Sequence, residues 1–285
     1  MDFADFIDKA FNFEDYALLL PLVGNSLVAG AALGIVGGLI GIFIMMRDMA
    51  FAVHGIAELS FAGAAFALLI GVDVVTGSVF GSLIAALILG VLGTRARDRN
   101  SITGVLMPFG LGLGILFLSL YEGRSANKFG LLTGQIVAVD DVQLGGMLML
   151  SAVVVLALAL IWRPLTFASA DPVVANARGV RTAGLSIIFM MVLALAVAVT
   201  IQVVGALLVL ALLITPAAAA MRVSSNPVLT VILSVLFAEL AVVGGILLAL
   251  AGSLPISPYV TTISFVIYLV CRGIEAVRSP RRHQV

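Results

Sequence analysis

Residues 24–63 read GNSLVAGAALGIVGGLIGIFIMMRDMAFAVHGIAELSFAG, and this stretch decides the fold. It consists of two long apolar runs that are separated by Arg47 and Asp48. A helix that crosses about 30 Å of hydrocarbon needs about 20 predominantly apolar residues. The stretch therefore predicts two consecutive membrane-spanning helices joined by a short charged turn.

The composition of the whole chain agrees with this prediction. Of its 285 residues, 62% are hydrophobic and only 11% are charged, whereas soluble domains are about 45–50% apolar. The 15 basic residues are balanced by 15 acidic ones, so the chain has no basic excess that would attract nucleic acid. The single cysteine, Cys271, excludes an intrachain disulfide and a multi-thiolate metal site. A water-soluble globule is excluded, and we predict a polytopic membrane protein.

Apolar stretches long enough to span the bilayer recur along the chain, and we place nine of them near residues 17–46, 50–72, 75–94, 102–121, 143–163, 182–201, 204–221, 226–252 and 258–275. Between residues 182 and 221 only Gln202 and Gly205 interrupt the apolar run, so a broken or re-entrant pair is the alternative there, which leaves eight spans. Pro216 in the same region predicts a kink, because proline lacks a backbone donor. The predicted fold class is an all-α bundle of nine or eight transmembrane helices over residues 17–276.

The basic residues predict how this bundle is oriented, because Lys and Arg near short loops accumulate on the cytoplasmic side. With the N-terminus outside, nine alternating spans leave only Lys9, Arg124 and Lys128 outside. The remaining basic residues fall on the cytoplasmic side: Arg47, Arg95, Arg97, Arg99, Arg163, Arg178, Arg181, Arg222, Arg272, Arg278, Arg281 and Arg282. We therefore expect residues 1–16 to form an amphipathic extracytoplasmic segment and residues 277–285 to form a cytoplasmic basic tail.

Small residues at four-residue intervals predict where helices pack closely against one another. The pairs are Gly30/Gly34, Gly37/Gly41 and Gly110/Gly114. In a membrane the lipid gives no hydrophobic drive between helices, and small residues let two backbones approach. We interpret these glycines as packing positions.

Ionisable side chains in the middle of a bilayer cost about 2.5–3.5 kcal/mol on insertion scales, so each one needs a reason. His54 and Glu58 lie four residues apart and therefore on one helical face. Imidazole and carboxylate are ligands for divalent ions such as zinc, manganese and iron, which predicts a transient metal site. The alternatives are a His–Glu hydrogen bond within the helix and a polar contact between helices. Glu239 and Gln202 are two further polar residues for which both a pathway role and a packing role stay open.

The chain lacks the phosphate-binding motif G-x-x-x-x-G-K-[ST]. Any work driven by ATP therefore needs another subunit. We expect this chain to be no enzyme but a transport subunit, with no permanently bound cofactor.

Four segments carry a resemblance to a known family. Residues 24–63 contain a glycine pattern, an R-x-x-A-[FY] turn and a polar pair; residues 99–118 and 131–144 match further segments; and residues 204–220, VGALLVLALLITPAAAA, match a proline-containing helix. Together they resemble the permease subunits of bacterial ABC importers for zinc and manganese. The resemblance covers about residues 24 to 260 and implies the fold of a type II ABC importer permease.

The resemblance also implies partners and a coupling site. The family works as a permease homodimer in the bacterial plasma membrane, with two ATP-binding subunits and an extracytoplasmic metal-binding protein. It places a cytoplasmic coupling loop between the fifth and sixth spans, at residues 163–181 here, where Asp171, Ala175 and Gly179 match the family pattern. The chain departs from the family in two places. Asp followed by His is replaced by His54 followed by Glu58, and Ser253 stands where an acid is usual.

The functional hypothesis is an ATP-driven importer of a divalent metal ion, manganese, zinc or iron(II), whose cavity joins the His54–Glu58 pairs of two permease copies. Two alternatives stay open at this point. A permease of the siderophore or cobalamin type shares the architecture but carries a large chelate. An ion-coupled secondary transporter would use Glu58 and Glu239 as proton or sodium sites, and more often shows inverted repeats.

Overall fold

The protein was studied as a computed structural model, which describes residues 16–93, 96–123, 139–205, 209–252 and 255–278. In these ranges all regular structure is helical. A short turn at Tyr16–Leu19 and a 3-10 turn at Leu20–Val23 lead into the first long helix. The helices are α1 (Gly24–Met46), α2 (Ala50–Ile70), α3 (Val74–Leu92), α4 (Ala96–Leu120), α5 (Asp141–Ala170), α6 (Pro172–Ala177), α7 (Thr182–Val204), α8 (Val209–Leu213), α9 (Thr215–Val223), α10 (Pro227–Ala249) and α11 (Ile256–Arg278).

Eight helices in the described ranges are long and apolar enough to cross a membrane, and together they confirm the predicted all-α polytopic fold. They correspond to the predicted spans apart from the seventh, 204–221. In that region the structure has two short helices, α8 and α9, which together cover only Val209–Val223. The count of eight spans that the sequence offered as the alternative is confirmed for the described residues, with α7 continuous and the break confined to the seventh predicted span.

The interruption between α8 and α9 lies at Ile214, two residues before Pro216. Proline lacks a backbone N–H, and its ring clashes with the carbonyl of the residue four positions earlier. It is tolerated in the first turn of a helix, and Pro216 occupies that position in α9. The sequence predicted a kink at Pro216, whereas the structure has a break between two short helices.

The fifth span is longer than its apolar run predicts. The sequence places its end at residue 163, whereas α5 continues through Arg163 and Pro164 to Ala170 and comprises 30 residues. The predicted coupling loop at residues 163–181 therefore consists of the last turns of α5, the short helix α6 and the turn that leads into α7.

The chain divides into two compact units. The first contains the residues up to Met45 and those from Ala211 onward, and the second contains Met46–Leu210. In the first unit, α1 packs on α10 through its glycines. A Cβ atom at Gly38 would lie 2.5 Å from the Val235 Cα, and one at Gly30 would lie 2.6 Å from the Ile246 side chain. Ser234 also donates a hydrogen bond of 2.7 Å to the Gly38 carbonyl.

The ends of α9 and α11 meet in the first unit. Arg222 and Arg272 each approach the Glu275 carboxylate at 3.4 Å, and Arg278 donates to the Val223 carbonyl at 3.3 Å. Arg222, Arg272 and Arg278 therefore share one end of this unit, as the charge distribution predicts for residues on one side of the membrane.

In the second unit, α2 packs closely against α3 and α4. A Cβ at Gly63 would lie 3.0 Å from the Gly81 Cα of α3, and a Cβ at Gly110 of α4 would lie 2.9 Å from the Glu58 carbonyl carbon. Ser60 donates to the Ser78 carbonyl at 2.9 Å. The backbones of these helices therefore nearly touch, and the predicted packing role of Gly110 is confirmed.

Candidate metal site and coupling segment

Helix α2 presents His54 and Glu58 on one face. Asp48 has a φ of 51°, in the left-handed region, and so ends the turn that follows α1. The helix then begins at Ala50, and the Val53 amide donates to the Met49 carbonyl at 3.1 Å. From there α2 is continuous to Ile70. His54 and Glu58 are four residues apart in this helix and therefore lie on the same face of it.

The two side chains are close without being hydrogen-bonded to each other. The His54 Nε2 and Glu58 Oε1 atoms are 3.6 Å apart, beyond the usual range of about 2.7–3.2 Å for a hydrogen bond. The internal His–Glu hydrogen bond that the sequence allowed as an alternative is therefore not formed. Ligand atoms about 2.0–2.2 Å from a common ion are at most about 4.4 Å apart, so both atoms can bind the same cation.

The other polar atoms of the pair are also available. His54 Nδ1 and Glu58 Oε2 are buried, and neither has a hydrogen-bond partner among the described residues. A buried carboxylate oxygen without a partner is costly, and a cation bound to it removes that cost. The Glu58 side chain is 8% exposed and that of His54 is 27% exposed, so the pair has a buried acid and a more accessible imidazole.

Helix α4 closes one side of this site. A Cβ atom at Gly110 would lie 3.0 Å from the Leu59 amide nitrogen, so only a glycine lets α4 approach the backbone beside Glu58 so closely. One turn earlier on α2, a Cβ at Gly55 would lie 2.8 Å from the Thr103 methyl group. The backbone that carries the pair is therefore held by close packing over two turns.

Glu239 lies in α10 of the first unit. Its carboxylate lies beside α1 where Gly34 leaves room: a Cβ at Gly34 would be 2.6 Å from Glu239 Oε1. That oxygen is buried without a hydrogen-bond partner in the described part of the chain.

Within the part of the chain that the structure describes, no group of three or more His, Cys, Asp or Glu side chains could hold a metal. His54 and Glu58 are thus two such side chains that come together without a third among the described residues.

The three residues that match the family's coupling loop, Asp171, Ala175 and Gly179, belong to one compact segment around α6. Asp171 caps this helix, accepting hydrogen bonds from the amides of Val173 at 3.0 Å and Val174 at 2.9 Å. Ala175 is fully buried, and its carbonyl accepts from the Val180 amide at 3.0 Å. Gly179 has a φ of 88°, a conformation that favours glycine, and ends the turn. Each of the three residues therefore has a distinct part in shaping this segment.

In the sequence, Arg47 and Arg99 mark the orientation and stand in matched family segments, and the structure gives them more specific surroundings. Both line a cavity of about 280 Å³ together with Pro172, Thr182 and Ser186. The partners of Arg47 are 122 and 139 residues away in the chain, so no local pattern could have identified them.

Several sequence predictions fall outside the described residues. These are the segment 1–15, the side chain of Gln202, Ser253, most of the matched segment 131–144, and residues 279–285.

Comparison with known proteins places the chain in a family. Residues 20–273 match the ABC 3 transport family. The manganese transport system membrane protein MntC of Halalkalibacterium halodurans is 30% identical over 235 residues, which cover 82% of this chain and 80% of that protein. The manganese import system permease protein ScaB of Streptococcus parasanguinis is 28% identical over 260 residues, covering 91% of this chain and 92% of ScaB.

Solved structures agree with this placement. The chain resembles a chain of PsaBC from Streptococcus pneumoniae in complex with Fab, with a TM-score of 0.79, 26% identity and 95% of both chains covered. It also shares the fold of a metal-chelate type ABC transporter in an inward-facing conformation, with a TM-score of 0.71, 18% identity, and 94% of this chain and 93% of the other covered. The match over residues 20–273 and the eight apolar helices lead to one conclusion: the chain belongs to the ABC 3 transport family and is a multi-pass membrane permease of an ABC transporter.

Proposed function

We propose that this chain is the permease subunit of an ATP-driven manganese importer and that His54 and Glu58 form its transient ion site. The observation that carries the proposal is the pair itself: one imidazole and one carboxylate lie 3.6 Å apart on a membrane helix, and each has a buried polar atom without a described partner. The relatives MntC and ScaB, whose names give manganese as the transported ion, supply the choice of metal. Manganese accepts mixed nitrogen and oxygen ligands.

The proposed site is completed by a second copy of the chain. The described residues of one chain bring only these two side chains together, and they contain no larger cluster of metal-binding side chains. In a homodimer, two His54–Glu58 pairs facing a common axis supply four donors. Transport requires that the ion be released, and a partly hydrated site of this kind releases its ion more readily than a closed tetrahedral cage does.

Energy comes from partner subunits. The chain has no phosphate-binding motif, so we assign ATP hydrolysis to two ATP-binding subunits, which dock on the segment from Asp171 to Gly179. We assign delivery of the ion to an extracytoplasmic metal-binding protein. The basic residues favour an N-terminus outside the bacterial plasma membrane and a C-terminus in the cytoplasm.

The test is element-resolved metal uptake in cells that express the whole transporter, comparing manganese, zinc and iron. The variants are His54→Ala and Glu58→Ala, at permease levels matched by immunoblot. We expect each to lower manganese uptake at least about tenfold, because a tenfold effect needs a loss of only about 1.4 kcal/mol. The control is Glu275→Gln, which alters an exposed ion pair at the end of α11 and should leave uptake unchanged.

The outcomes separate the parts of the proposal. Undiminished uptake in both alanine variants removes the site assignment. Uptake of zinc or iron without manganese overturns the choice of metal, and transport of a metal chelate in place of the free ion overturns the substrate class.

Glu239 is the second acid that we place on the pathway, on the basis of its buried oxygen without a described partner. The isosteric change Glu239→Gln keeps the volume beside Gly34 and removes the charge. If the carboxylate assists the ion, uptake falls in Glu239→Gln while the amount of permease in the membrane stays the same. Unchanged uptake assigns Glu239 to packing.

A further inference from the structure

The turn between α1 and α2 is held by side chains from three other helices. It consists of residues 47–49, and Asp48 has a φ of 51° in it. From α4, the Arg99 Nη2 atom donates to the carbonyls of Arg47 and Asp48, at 3.3 Å each. The backbone of the turn is therefore fixed from one side by a guanidinium group.

The side chain of Arg47 points away from its own turn toward α5 and α7. Its Nη1 atom donates to Ser169 Oγ at 3.3 Å, and its Nη2 atom donates to Ser186 Oγ. The guanidinium carbon also lies 5.7 Å from the centre of the Phe189 ring, within the range of a cation–π contact. Burial and the nearby Arg99 lower the pKa of Arg47, but an arginine stays protonated at physiological pH.

Ser169 and Ser186 lie on the two sides of α6, the first near the end of α5 and the second near the start of α7. Ser169 is two residues before Asp171, and its hydroxyl also donates to the Leu165 carbonyl at 2.6 Å, which holds it on the last turn of α5. Ser186 lies in the first turns of α7 and donates to the Thr182 carbonyl at 2.9 Å. The side chain of Arg47 is thus hydrogen-bonded both to the helix before α6 and to the helix after it.

The same residue lies just before the helix that carries the proposed ion site. Helix α2 begins at Ala50, three residues after Arg47, and is continuous from there through His54, which lies about 6 Å further along the helix axis, to Glu58. A displacement of the Arg47 turn moves the start of α2, and the continuous helix passes that movement to His54 and Glu58.

We propose that Arg47 is a positioning residue that couples the α6 segment to the ion site: movement of the flanks of α6 is passed through Ser169, Ser186 and Arg47 to α2. This inference rests on the proposed function, in which α6 receives the ATP-binding subunits and α2 holds the ion. Arg47 does not touch the ion. Its planar guanidinium is suited to the role, because two of its nitrogens can bond two hydroxyl groups at once, whereas a lysine ammonium is a single point charge.

The experiment uses the complete transporter in proteoliposomes and measures ATP hydrolysis and manganese uptake together. Arg47→Gln should keep ATP hydrolysis within about twofold of the unmodified protein and lower the number of ions imported per ATP at least about tenfold, equivalent to about 1.4 kcal/mol of coupling. Arg47→Lys should import a number of ions per ATP between that of the unmodified protein and that of Arg47→Gln. Arg272→Gln, which changes an exposed arginine on α11, is the matched control and should leave the ratio unchanged.

The double variant Ser169→Ala, Ser186→Ala keeps Arg47 and removes only its two hydroxyl partners, so it decides the question if Arg47→Gln does not accumulate in the membrane. A lowered ratio in this variant supports the proposal. An unchanged ratio, or uptake and hydrolysis that fall in proportion, overturns it and leaves Arg47 a structural role. If the unmodified transporter imports no manganese, the proposed function fails instead, which is a distinguishable result.

Discussion

His54 and Glu58 occur here in the order imidazole then carboxylate, the inverse of the order that the family resemblance implies. Both orders place the two groups on one face of α2, because residues four apart are neighbours on a helix. The donor set is therefore insensitive to order, although the positions differ in burial: the Glu58 side chain is 8% exposed and that of His54 is 27% exposed.

An exchange of the two side chains has a predictable outcome. His54→Glu and Glu58→His made singly should each lower manganese uptake about tenfold, since each leaves two identical groups in place of a mixed pair, and the double exchange should recover most of the loss. The measurement is a double-mutant cycle of uptake rates at matched expression. The control is the double variant His54→Ala, Glu58→Ala, in which no recovery is expected. Additive losses in the exchange would show that the two side chains act independently.

At the scale of the helix, Gly63 and Gly104 make a matched pair. A Cβ at Gly63 would lie 3.0 Å from the Gly81 Cα and would also meet the Gly77 carbonyl oxygen, and neither backbone atom can turn aside. A Cβ at Gly104 meets nothing within 4 Å. We expect Gly63→Ala to destabilise the permease by about 1–3 kcal/mol and Gly104→Ala to be neutral or stabilising by up to about 1 kcal/mol. Thermal unfolding in detergent tests this, and equal melting temperatures would contradict it.

The short helix α6 depends on its cap in a similar way. Asp171 accepts two amide hydrogen bonds at the start of the helix, at 3.0 and 2.9 Å. Replacing Asp171 by Ala removes both and costs about 1 kcal/mol locally, whereas Asn caps a helix about as well as Asp. We therefore expect Asp171→Ala to weaken co-purification of the ATP-binding subunit and Asp171→Asn to preserve it. If Asn fails as Ala does, the negative charge is required and the capping role does not explain the residue.

The helices and their contacts differ in how far the local sequence predicts them. The apolar spans and the His54–Glu58 pair were predictable because their signals, hydrophobic length and a four-residue spacing, lie within a single helix. The extension of α5 to Ala170 was not, because Pro164 and the polar residues after it indicate a helix end, whereas the helix continues through them. The contacts of Arg47 with Ser169 and Ser186 join residues more than 100 positions apart, and they depend on packing that a single sequence does not encode.

For the whole molecule, the distribution of arginines predicts which loops face the cytoplasm. The structure groups these residues at common ends within each unit: Arg222 with Arg272 and Arg278 in the first, and Arg47 with Arg99 in the second. Spans that alternate in direction place alternate loops at one end of each unit. The excess of positive charge in these loops predicts that this end faces the cytoplasm.

Cysteine labelling tests this orientation in intact cells. The chain has one native cysteine, so Cys271→Ser gives a clean background. In it we expect Arg178→Cys, in the exposed turn after α6, to react with a membrane-impermeant maleimide only after the cells are opened. Val72→Cys, which is 48% exposed between α2 and α3, should react from outside. The reverse pattern would invert the topology and place the α6 segment away from the ATP-binding subunits.

The length of α5 has a consequence for how a soluble partner meets this protein. Its 30 residues span about 45 Å, while the hydrocarbon layer is about 30 Å thick and the bilayer with its headgroups about 40–45 Å. From Arg163, the cationic residue expected at the hydrocarbon boundary, α5 continues seven residues, about 10 Å, to Ala170. In the proposed arrangement, the last turns of α5 therefore extend beyond the hydrocarbon layer, where a soluble ATP-binding subunit can contact them without entering the lipid.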